Sequence, residues 1–216
     1  MNLSTKSMYR LLETIRLENG RFELLAYHRQ RMRHARKTLF GLTQEIDLAI
    51  VLQKAMEQEP RNLSKGLFKC RVVYDRQIRE ITFLPYVLPR ISSLQPVECH
   101  TIDYAFKYED RSRLQQLFSL RGDASDVLIV KNGLLTDTSF ANVLFYNGKN
   151  WLTPERPLLQ GVRRAALLHR EQILTAVIGL DDLHHFTKVR LVNAMIRFED
   201  RLEFPVNNIR KTLLRL

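Results

Sequence analysis

The residue with the clearest potential for covalent chemistry is a lysine at the end of a predicted strand. Lys107 directly follows the apolar run Tyr104-Ala105-Phe106. An amine beside apolar groups loses the solvation of its charged form, which makes it a candidate nucleophile for a Schiff base. A plain surface lysine remains open from the residues alone, because the chain holds 34 Lys and Arg residues.

A second candidate group surrounds an Asn-Gly hairpin signal at residues 147–148. Asp137 lies in a polar segment before the hairpin, and Gly161-Val162-Arg163 begins a predicted helix after it. A carboxylate together with the free N–H groups of a helix start can hold a heteroaromatic phosphate. A turn aspartate bonded to its own backbone and an ordinary loop-to-helix junction fit the same residues.

Several arginines could bind anions. Arg31 lies on a predicted helix, where it could supply a fixed cation or belong to a solvated helix face. Arg71 and Arg76 lie on and just after a predicted strand and could bind a substrate carboxylate. Each of these arginines fits a solvated surface equally well, so the residue types alone do not decide their role.

Composition indicates a soluble globular protein. The chain has 216 residues, of which 45% are hydrophobic and 26% are charged, enough for one large or two small domains. No apolar run is as long as a membrane span, and residues 1–10 lack the apolar segment of a signal peptide. The two cysteines and six histidines show no metal-ligand spacing. We therefore expect a reduced cytoplasmic protein without a metal or a membrane partner.

The net charge of +11 raises nucleic-acid binding as a hypothesis. The basic residues are spread along the whole chain, however, and no alternation of aromatic and basic residues typical of RNA-binding sheets is present. The charge could instead attract anionic substrates, or it could be a solvated surface. We therefore do not expect a nucleic-acid partner.

The hydrophobic patterns predict a mixed α/β protein of the α+β class in two lobes. Residues 1–90 are predicted to form a small N-terminal α+β lobe, in which helices follow at 25–39 and 45–59. A proline- and serine-rich stretch places a linker and the first strand of the next lobe at 91–103, with that strand at 97–104. Residues 104–216 are predicted to form the larger lobe, with a helix at 161–178 and a terminal helix.

Short elements in a fixed order give this pattern a more specific meaning. They are Glu13-Thr14-Ile15-Arg16, His28-Arg29-Gln30-Arg31-Met32, Lys107-Tyr108-Glu109-Asp110-Arg111, Thr136-Asp137-Thr138-Ser139-Phe140-Ala141-Asn142, Leu159-Gln160-Gly161-Val162-Arg163-Arg164 and Asn193-Ala194-Met195. Together they resemble the motifs of the class IV aminotransferases, which are pyridoxal-phosphate enzymes. That family includes branched-chain and D-amino-acid aminotransferases and aminodeoxychorismate lyase. The resemblance covers residues 12–196.

The resemblance implies a two-lobed class IV aminotransferase-like fold with the cofactor between the lobes. It implies that Lys107 is the catalytic lysine that attaches pyridoxal 5'-phosphate, and that the carboxylate of Asp137 pairs with the pyridine nitrogen. The phosphate-binding residues that it implies are Arg31, Gly161, Val162, Arg163, Asn193 and Ala194.

The chain departs from the family pattern at three motif positions. Asp137 replaces a glutamate, Asp110 replaces an asparagine and Arg163 replaces a threonine. The Glu-Thr-x-Arg element is reached at residue 13, so we expect the family's opening strands to be absent.

The Asn193-Ala194 loop resembles the lyase version of the last phosphate-binding motif. The resemblance therefore implies an aminodeoxychorismate lyase of folate biosynthesis that releases pyruvate and p-aminobenzoate. Its substrate would be a small anionic amino compound, and Arg71 and Arg111 are the candidate substrate-binding residues. We also expect a homodimer. The alternatives are a class IV aminotransferase, or a basic relative that is non-catalytic or binds nucleic acid.

Overall fold

The computed structural model describes residues 9–216 and divides into two compact units. The first unit comprises the residues up to Val87 together with Phe106–Asp110, and the second comprises Leu88–Ala105 and Arg111–Leu216. The segment that carries Lys107 therefore belongs to the first unit, although it follows part of the second unit along the chain. The sequence-based division at residues 90 and 103 stays a prediction.

The first unit contains one antiparallel sheet with the strand order β2-β1-β3-β4. Its strands are β1 (Leu11–Glu18), β2 (Arg21–Phe22), β3 (Leu67–Tyr74) and β4 (Ile78–Pro85). Asn19 and Gly20 join β1 to β2 with positive φ angles of 49° and 78°, as a tight hairpin turn requires. Strands β1 and β3 pair along their whole length, so they form the rigid centre of the sheet.

Two helices, α1 (Leu25–Phe40) and α2 (Leu48–Gln58), pack on this sheet. Helix α1 ends at Gly41, whose φ of 72° lets its N–H bond back to the last turn. Helix α2 begins after Asp47, whose carboxylate accepts the N–H groups of Ala49 and Ile50. Apolar side chains from both helices and from the central strands form one core, including Leu11, Ile15, Leu17, Met32, Ala35, Leu48, Leu52, Cys70, Val72 and Phe83.

The second unit contains two sheets, with the strand orders β10-β9-β8-β11-β12 and β13-β5-β6-β7. The strands are β5 (Leu94–Glu98), β6 (Asp126–Lys131), β7 (Leu134–Leu135), β8 (Asn142–Tyr146), β9 (Trp151–Pro154), β10 (Leu174–Ala176), β11 (Lys188–Val192), β12 (Glu203–Pro205) and β13 (Leu214–Arg215). Side chains from both sheets share one apolar cluster, for example Leu128 and Val130 from β6 with Val143 and Phe145 from β8. The inner faces of the sheets therefore form the core of this unit. Its helices are α3 (Ser112–Ser119) and α4 (Val162–His169).

The helix predicted over residues 161–178 is wrong beyond His169. Glu171 has a φ of 56°, which breaks the helical path. Leu174–Ala176 then pairs in parallel with β9, and this pairing at the edge of the sheet satisfies backbone groups that a longer helix would have bonded internally.

Two further predictions are also corrected. The strand predicted at residues 97–104 lies earlier, at Leu94–Glu98, where it pairs with β6. The predicted terminal helix is wrong, because Leu214–Arg215 pairs in parallel with β5. In both cases a partner strand that is distant in sequence decides the structure.

Within residues 9–216, the helices are too short or too polar to cross a membrane. Most of the segment in which we expect no signal peptide, residues 1–10, lies outside the described residues.

Candidate active site

A buried carboxylate holds Arg31 in the first unit. Glu13 lies on β1 and is fully buried, and Arg31 lies on α1. Nε of Arg31 donates to Glu13 Oε1 at 3.0 Å, and Nη2 donates to Oε2 at 2.5 Å. This two-point contact fixes the plane of the guanidinium. The Arg31 side chain keeps 15% of its surface exposed, so the cation is held rigidly but is still accessible.

His28 and Tyr74 surround the same carboxylate. Nδ1 of His28 lies 2.6 Å from Glu13 Oε2. Burial lowers the pKa of His28 although Glu13 opposes this, so the ring is neutral and its Nδ1–H donates to Glu13. The Nε2 atom of His28 is buried without a hydrogen-bond partner in the described part of the chain. Burial and the negative charge of Glu13 raise the pKa of Tyr74.

The electrostatics of this cluster keep Glu13 ionised. Burial alone would raise the pKa of Glu13, but the charge of Arg31 and the hydrogen bond from His28 lower it to about 2. A buried carboxylate that stays ionised at every ordinary pH is a permanent anchor for an arginine.

Lys107 is tied to the strand that carries Glu13. Its backbone oxygen accepts the N–H of Leu12 at 2.9 Å, and the next residue, Tyr108, forms a bridge with Leu11. The Lys107 side chain is half-buried, and its charge contributes to the lowered pKa of His28. The structure therefore brings Lys107 and Arg31 into the electrostatic range of one histidine.

Of the two arginines proposed for a substrate carboxylate in this unit, Arg71 lies in an ion-pair network. Its Nη2 donates to Glu109 Oε1 at 2.5 Å, and its Nη1 lies 3.6 Å from Glu80. These carboxylates offset its positive charge. Arg76 is exposed and lies over the ring of Phe40 at 5.6 Å, so the structure does not place it beside Arg71.

In the second unit, Asp137 is a buried carboxyl group in the turn after β7. Its Oδ1 accepts from Asn142 Nδ2 at 2.8 Å, and its Oδ2 accepts the N–H of Leu159 at 2.9 Å. Burial raises the pKa of Asp137 to about 6, and the bonds from Leu159 and Asn142 limit that rise. A cationic partner would favour the ionised form, so this group is suited to pair with a protonated ring nitrogen.

A second buried aspartate holds the same turn in place. Asp126 on β6 accepts the Ser139 hydroxyl at 2.9 Å and the Ser139 N–H at 3.3 Å. From the other side, Arg111 Nη2 donates to the Ser139 carbonyl at 2.8 Å. Arg111, a candidate for substrate binding, therefore also stabilises the turn that presents Asp137.

Asn142 connects Asp137 to the start of α4. Besides its bond to Asp137, Asn142 Nδ2 donates to the Leu159 carbonyl at 3.0 Å. Its Oδ1 lies only 1.9 Å from the position that a Cβ at residue 161 would take. Glycine is therefore required at residue 161 for this contact to exist.

The N-terminus of α4 has the properties of an anion site. It has no side-chain cap and no acidic residue in its first turn, and its first N–H groups lack intrahelical partners. Val162, Arg163 and Arg164 in this turn are all buried. Buried cations near the positive end of a helix dipole are unfavourable unless negative charge lies close by. Asp137 provides part of that charge, since it opposes the lowering of the pKa of Arg164 that burial causes.

The Asn193–Ala194 loop is held against the start of α4. Asn193 Oδ1 accepts the N–H groups of Met195 and Ile196 at 2.8 and 2.9 Å, while Nδ2 donates to the Phe140 carbonyl at 3.2 Å. Arg163 Nη2 donates to the Ala194 carbonyl at 3.3 Å. The structure thus brings together Arg163, Asn193 and Ala194, three of the residues predicted to bind the phosphate.

Comparison with known proteins decides what kind of fold this is. The family model for amino-transferase class IV matches residues 10–198. The chain belongs to the class IV aminotransferase family. The resemblance inferred from the motifs is confirmed, as is the mixed α/β fold class. Members of this family depend on pyridoxal phosphate.

Individual class IV relatives agree with this assignment. An uncharacterised protein of Haemophilus influenzae is 34% identical over 188 residues, which are 87% of this chain and 98% of that protein. A solved structure of a candidate 4-amino-4-deoxychorismate lyase from Haemophilus somnus 129pt is 31% identical, with a TM-score of 0.82 over 88% of this chain and 98% of that one. A candidate amino-acid aminotransferase from Mesorhizobium loti is 22% identical, with a TM-score of 0.73 over 95% and 100% of the chains, and shares the fold.

Three residues that support the class IV site were named in the motifs without a role of their own. Glu13 and His28 anchor Arg31, and Asn142 joins Asp137 to Gly161. All three lie inside the family motifs. One feature of the sequence could have identified them. A polar residue that stands among apolar neighbours in a strand, or on the inner face of a helix, is expected to be buried and therefore to need a hydrogen-bond partner.

Proposed function

We propose that this chain is a pyridoxal-phosphate-dependent enzyme of the aminodeoxychorismate lyase type, which releases pyruvate and p-aminobenzoate. The observation that carries cofactor binding is the link through Asn142, which joins the buried Asp137 carboxyl to the uncapped start of α4. The acid that would pair with the ring nitrogen and the site that would bind the phosphate are thereby connected by hydrogen bonds of one side chain.

The described residues fit the proposed cofactor. Arg163 and Arg164 near the uncapped first turn of α4 provide cationic surroundings for a phosphate group. Asp137 accepts from Asn142 through Oδ1 and from Leu159 through Oδ2, and each carboxylate oxygen can accept more than one hydrogen bond.

Pyridoxal phosphate, when bound, supplies an electron sink for the carbanion of an amino substrate. In this proposal the Nζ atom of Lys107 would attach the cofactor and would hold the proton taken from the substrate Cα. Asp137 would accept a hydrogen bond from the ring nitrogen and keep that nitrogen cationic. The first turn of α4 would bind the phosphate, and Arg31 would be a further cation for it.

The choice of the lyase reaction is supported by the relative from Haemophilus somnus, whose full length the chain matches at 31% identity. A substrate with two carboxylates also suits a protein with a net charge of +11. We propose Arg71 and Arg111 as its carboxylate-binding residues. Arg71 donates to Glu109 through Nη2 and has Nη1 near Glu80, and a guanidinium carries five N–H donors in all.

Amino-group transfer to a keto acid is the second candidate function. It is favoured by the ion pairs of Arg71 with Glu109 and Glu80. An arginine whose charge is balanced by two carboxylates attracts a dicarboxylate substrate such as that of the lyase less strongly. In that reaction too, Lys107 would attach the cofactor and hold the proton taken from the substrate Cα.

The deciding experiment uses the purified protein loaded with pyridoxal phosphate. One reaction contains 4-amino-4-deoxychorismate, and two others contain branched-chain or D-amino acids with 2-oxoglutarate. Pyruvate and p-aminobenzoate in the first reaction alone are the expected result. Amino transfer without pyruvate release would show that the protein is an aminotransferase and would overturn the proposed lyase activity. A yellow protein that is silent in all three reactions would indicate a non-catalytic relative, and a protein that takes up no cofactor would contradict the proposal as a whole.

A further inference from the structure

The buried pair of Glu13 and His28 has no obvious purpose in packing. Both side chains are fully buried, in a unit whose core is formed by apolar side chains of β1, β3, α1 and α2. Burying a charged group costs desolvation free energy, and an apolar pair of similar size commonly stabilises a core as well or better. The pair is therefore better explained by a group that it serves.

That group is Arg31, the one member of the cluster with appreciable exposure, at 15% of its side chain. Glu13 contacts its Nε and Nη2 atoms. Because a guanidinium is planar, a carboxylate on this edge directs the Nη1 end away from Glu13. Glu13 on β1 thus sets the orientation of the guanidinium by contacting the edge opposite to Nη1.

His28 in turn sets the orientation of Glu13. Its Nδ1–H bonds to Oε2, the same oxygen that accepts Nη2 of Arg31. Glu13 on β1 is therefore held by two side chains of α1, His28 and Arg31, which limit its freedom to change orientation.

We propose that Glu13 and His28 are positioning residues that orient Arg31 toward the phosphate ester of the bound cofactor. This inference rests on the proposed function and deepens it, since it assigns a role to two residues that touch neither cofactor nor substrate. Glu13 orients the guanidinium, and His28 fixes the carboxylate that does so.

A purely structural pair and a positioning pair differ in one measurable respect. Loss of a structural pair weakens the binding of every ligand through general loosening. Loss of a positioning pair weakens the binding only of ligands that carry a phosphate. The ratio of the Kd for pyridoxal to the Kd for pyridoxal 5'-phosphate isolates this difference, because both compounds can react with Lys107 and share the same ring.

The experiment compares this ratio in the wild-type protein, in Glu13→Gln and in the matched control Glu23→Gln. Glu23 pairs with Arg16, a buried arginine of β1, at 3.3 Å, so its substitution removes a carboxylate from a different arginine of the same unit. Glu13→Gln is expected to lower the ratio about tenfold, the effect of one lost charge-assisted hydrogen bond. Glu23→Gln is expected to leave the ratio unchanged.

Two substitutions at His28 give an independent measurement if Glu13→Gln unfolds. His28→Leu removes the donor to Glu13 and is expected to lower the ratio several-fold. His28→Asn places an amide N–H near the position of Nδ1 and should restore much of it. Urea unfolding of each variant confirms that the folded protein is the species measured.

Equal weakening of pyridoxal and pyridoxal phosphate binding in Glu13→Gln, or no weakening of either, would overturn the positioning role while leaving the proposed function intact. The same holds if Glu23→Gln lowers the ratio as much as Glu13→Gln does. A wild-type protein that binds neither compound would overturn the proposed function and this inference together.

Discussion

The carboxamide of Asn142 occupies the space beside Gly161, with Oδ1 only 1.9 Å from the position of a Cβ at residue 161. Any side chain at residue 161 must displace Asn142. Because the same carboxamide donates to Asp137, a change at the start of α4 is transmitted to the buried carboxyl group.

Gly161→Ala should therefore weaken both the fold and cofactor binding. We expect the free energy of unfolding to fall by roughly 1–3 kcal/mol, as for other overpacked sites, when measured by urea denaturation. Gly179→Ala is the matched control, because its added Cβ would lie at ordinary contact distances of 3.4 and 3.5 Å. An alanine at residue 161 that cost no more than the control would show that Asn142 moves freely.

Lys107 should be the residue that becomes covalently labelled. After incubation with pyridoxal phosphate and reduction with borohydride, peptide mapping is expected to find the adduct on Lys107, and Lys107→Ala should fold but take up no label. Lys131→Ala is the control, because Lys131 donates to the Ile102 carbonyl at 2.6 Å in the other unit. Labelling of Lys131 or Lys188 in the wild-type protein would contradict the assignment.

The Glu13 cluster should make the protein sensitive to acid. Glu13 has a pKa of about 2 in the folded protein against an ordinary value of 4.5, so its stabilising contribution is present above pH 4.5 and is lost as the pH falls toward 2. The lowered pKa of His28 acts in the same direction, starting below its ordinary value of 6.5. For Glu13 the contribution is on the order of 3 kcal/mol.

Urea unfolding of the wild-type protein and of Glu13→Gln between pH 2 and pH 7 measures this contribution. The difference in unfolding free energy should be largest near neutral pH and should shrink below pH 4.5. A difference that stays constant over the whole range would mean that the carboxylate is not stabilised by its partners.

Asp137 should have the opposite effect on the pH dependence of stability. Its folded pKa of about 6 exceeds the ordinary value of 3.8, so the folded chain binds this proton more tightly than the unfolded chain. Stability is therefore lost as the pH rises from about 4 to about 6 and is level above that. The wild-type protein should lose about 3 kcal/mol relative to Asp137→Asn across this range. If the unfolding free energies of the two proteins changed equally with pH between 4 and 6, the raised pKa of Asp137 would be contradicted.

The oligomeric state remains a proposal, and we expect a two-fold homodimer. The resemblance to class IV enzymes implies this state. A small unit such as the one built on β1 to β4 also buries limited surface by itself. Light scattering at working concentration should give twice the chain mass of 25.5 kDa. A mass of one chain, unchanged by added pyridoxal phosphate, would rule out the dimer.

The sequence by itself determined the family, the order of the main elements and the residues that line up with family motifs. These features are local. The period of apolar residues predicts α1 and β3, and the motifs name Lys107 and Asp137 without any knowledge of their neighbours. The Asn-Gly pair at residues 19–20 predicts its two-residue turn, whereas the loop at the second Asn-Gly pair is longer than predicted and covers residues 147–150 between β8 and β9.

Only the tertiary structure decided which charged groups face one another. Glu13 and Arg31 are 18 residues apart, and Arg71 and Glu109 are 38 residues apart. Such pairs depend on the register of strands and on the face of a helix that turns inward, and both are set by packing of the whole unit. Packing of the whole unit also explains why α4 is shorter than the predicted helix. The segment after it pairs as β10 with β9, and this pairing satisfies its backbone hydrogen bonds. The contacts of Arg31 with its buried partners follow from that packing, which is why the motifs contain Glu13 and His28 without showing that they hold the arginine.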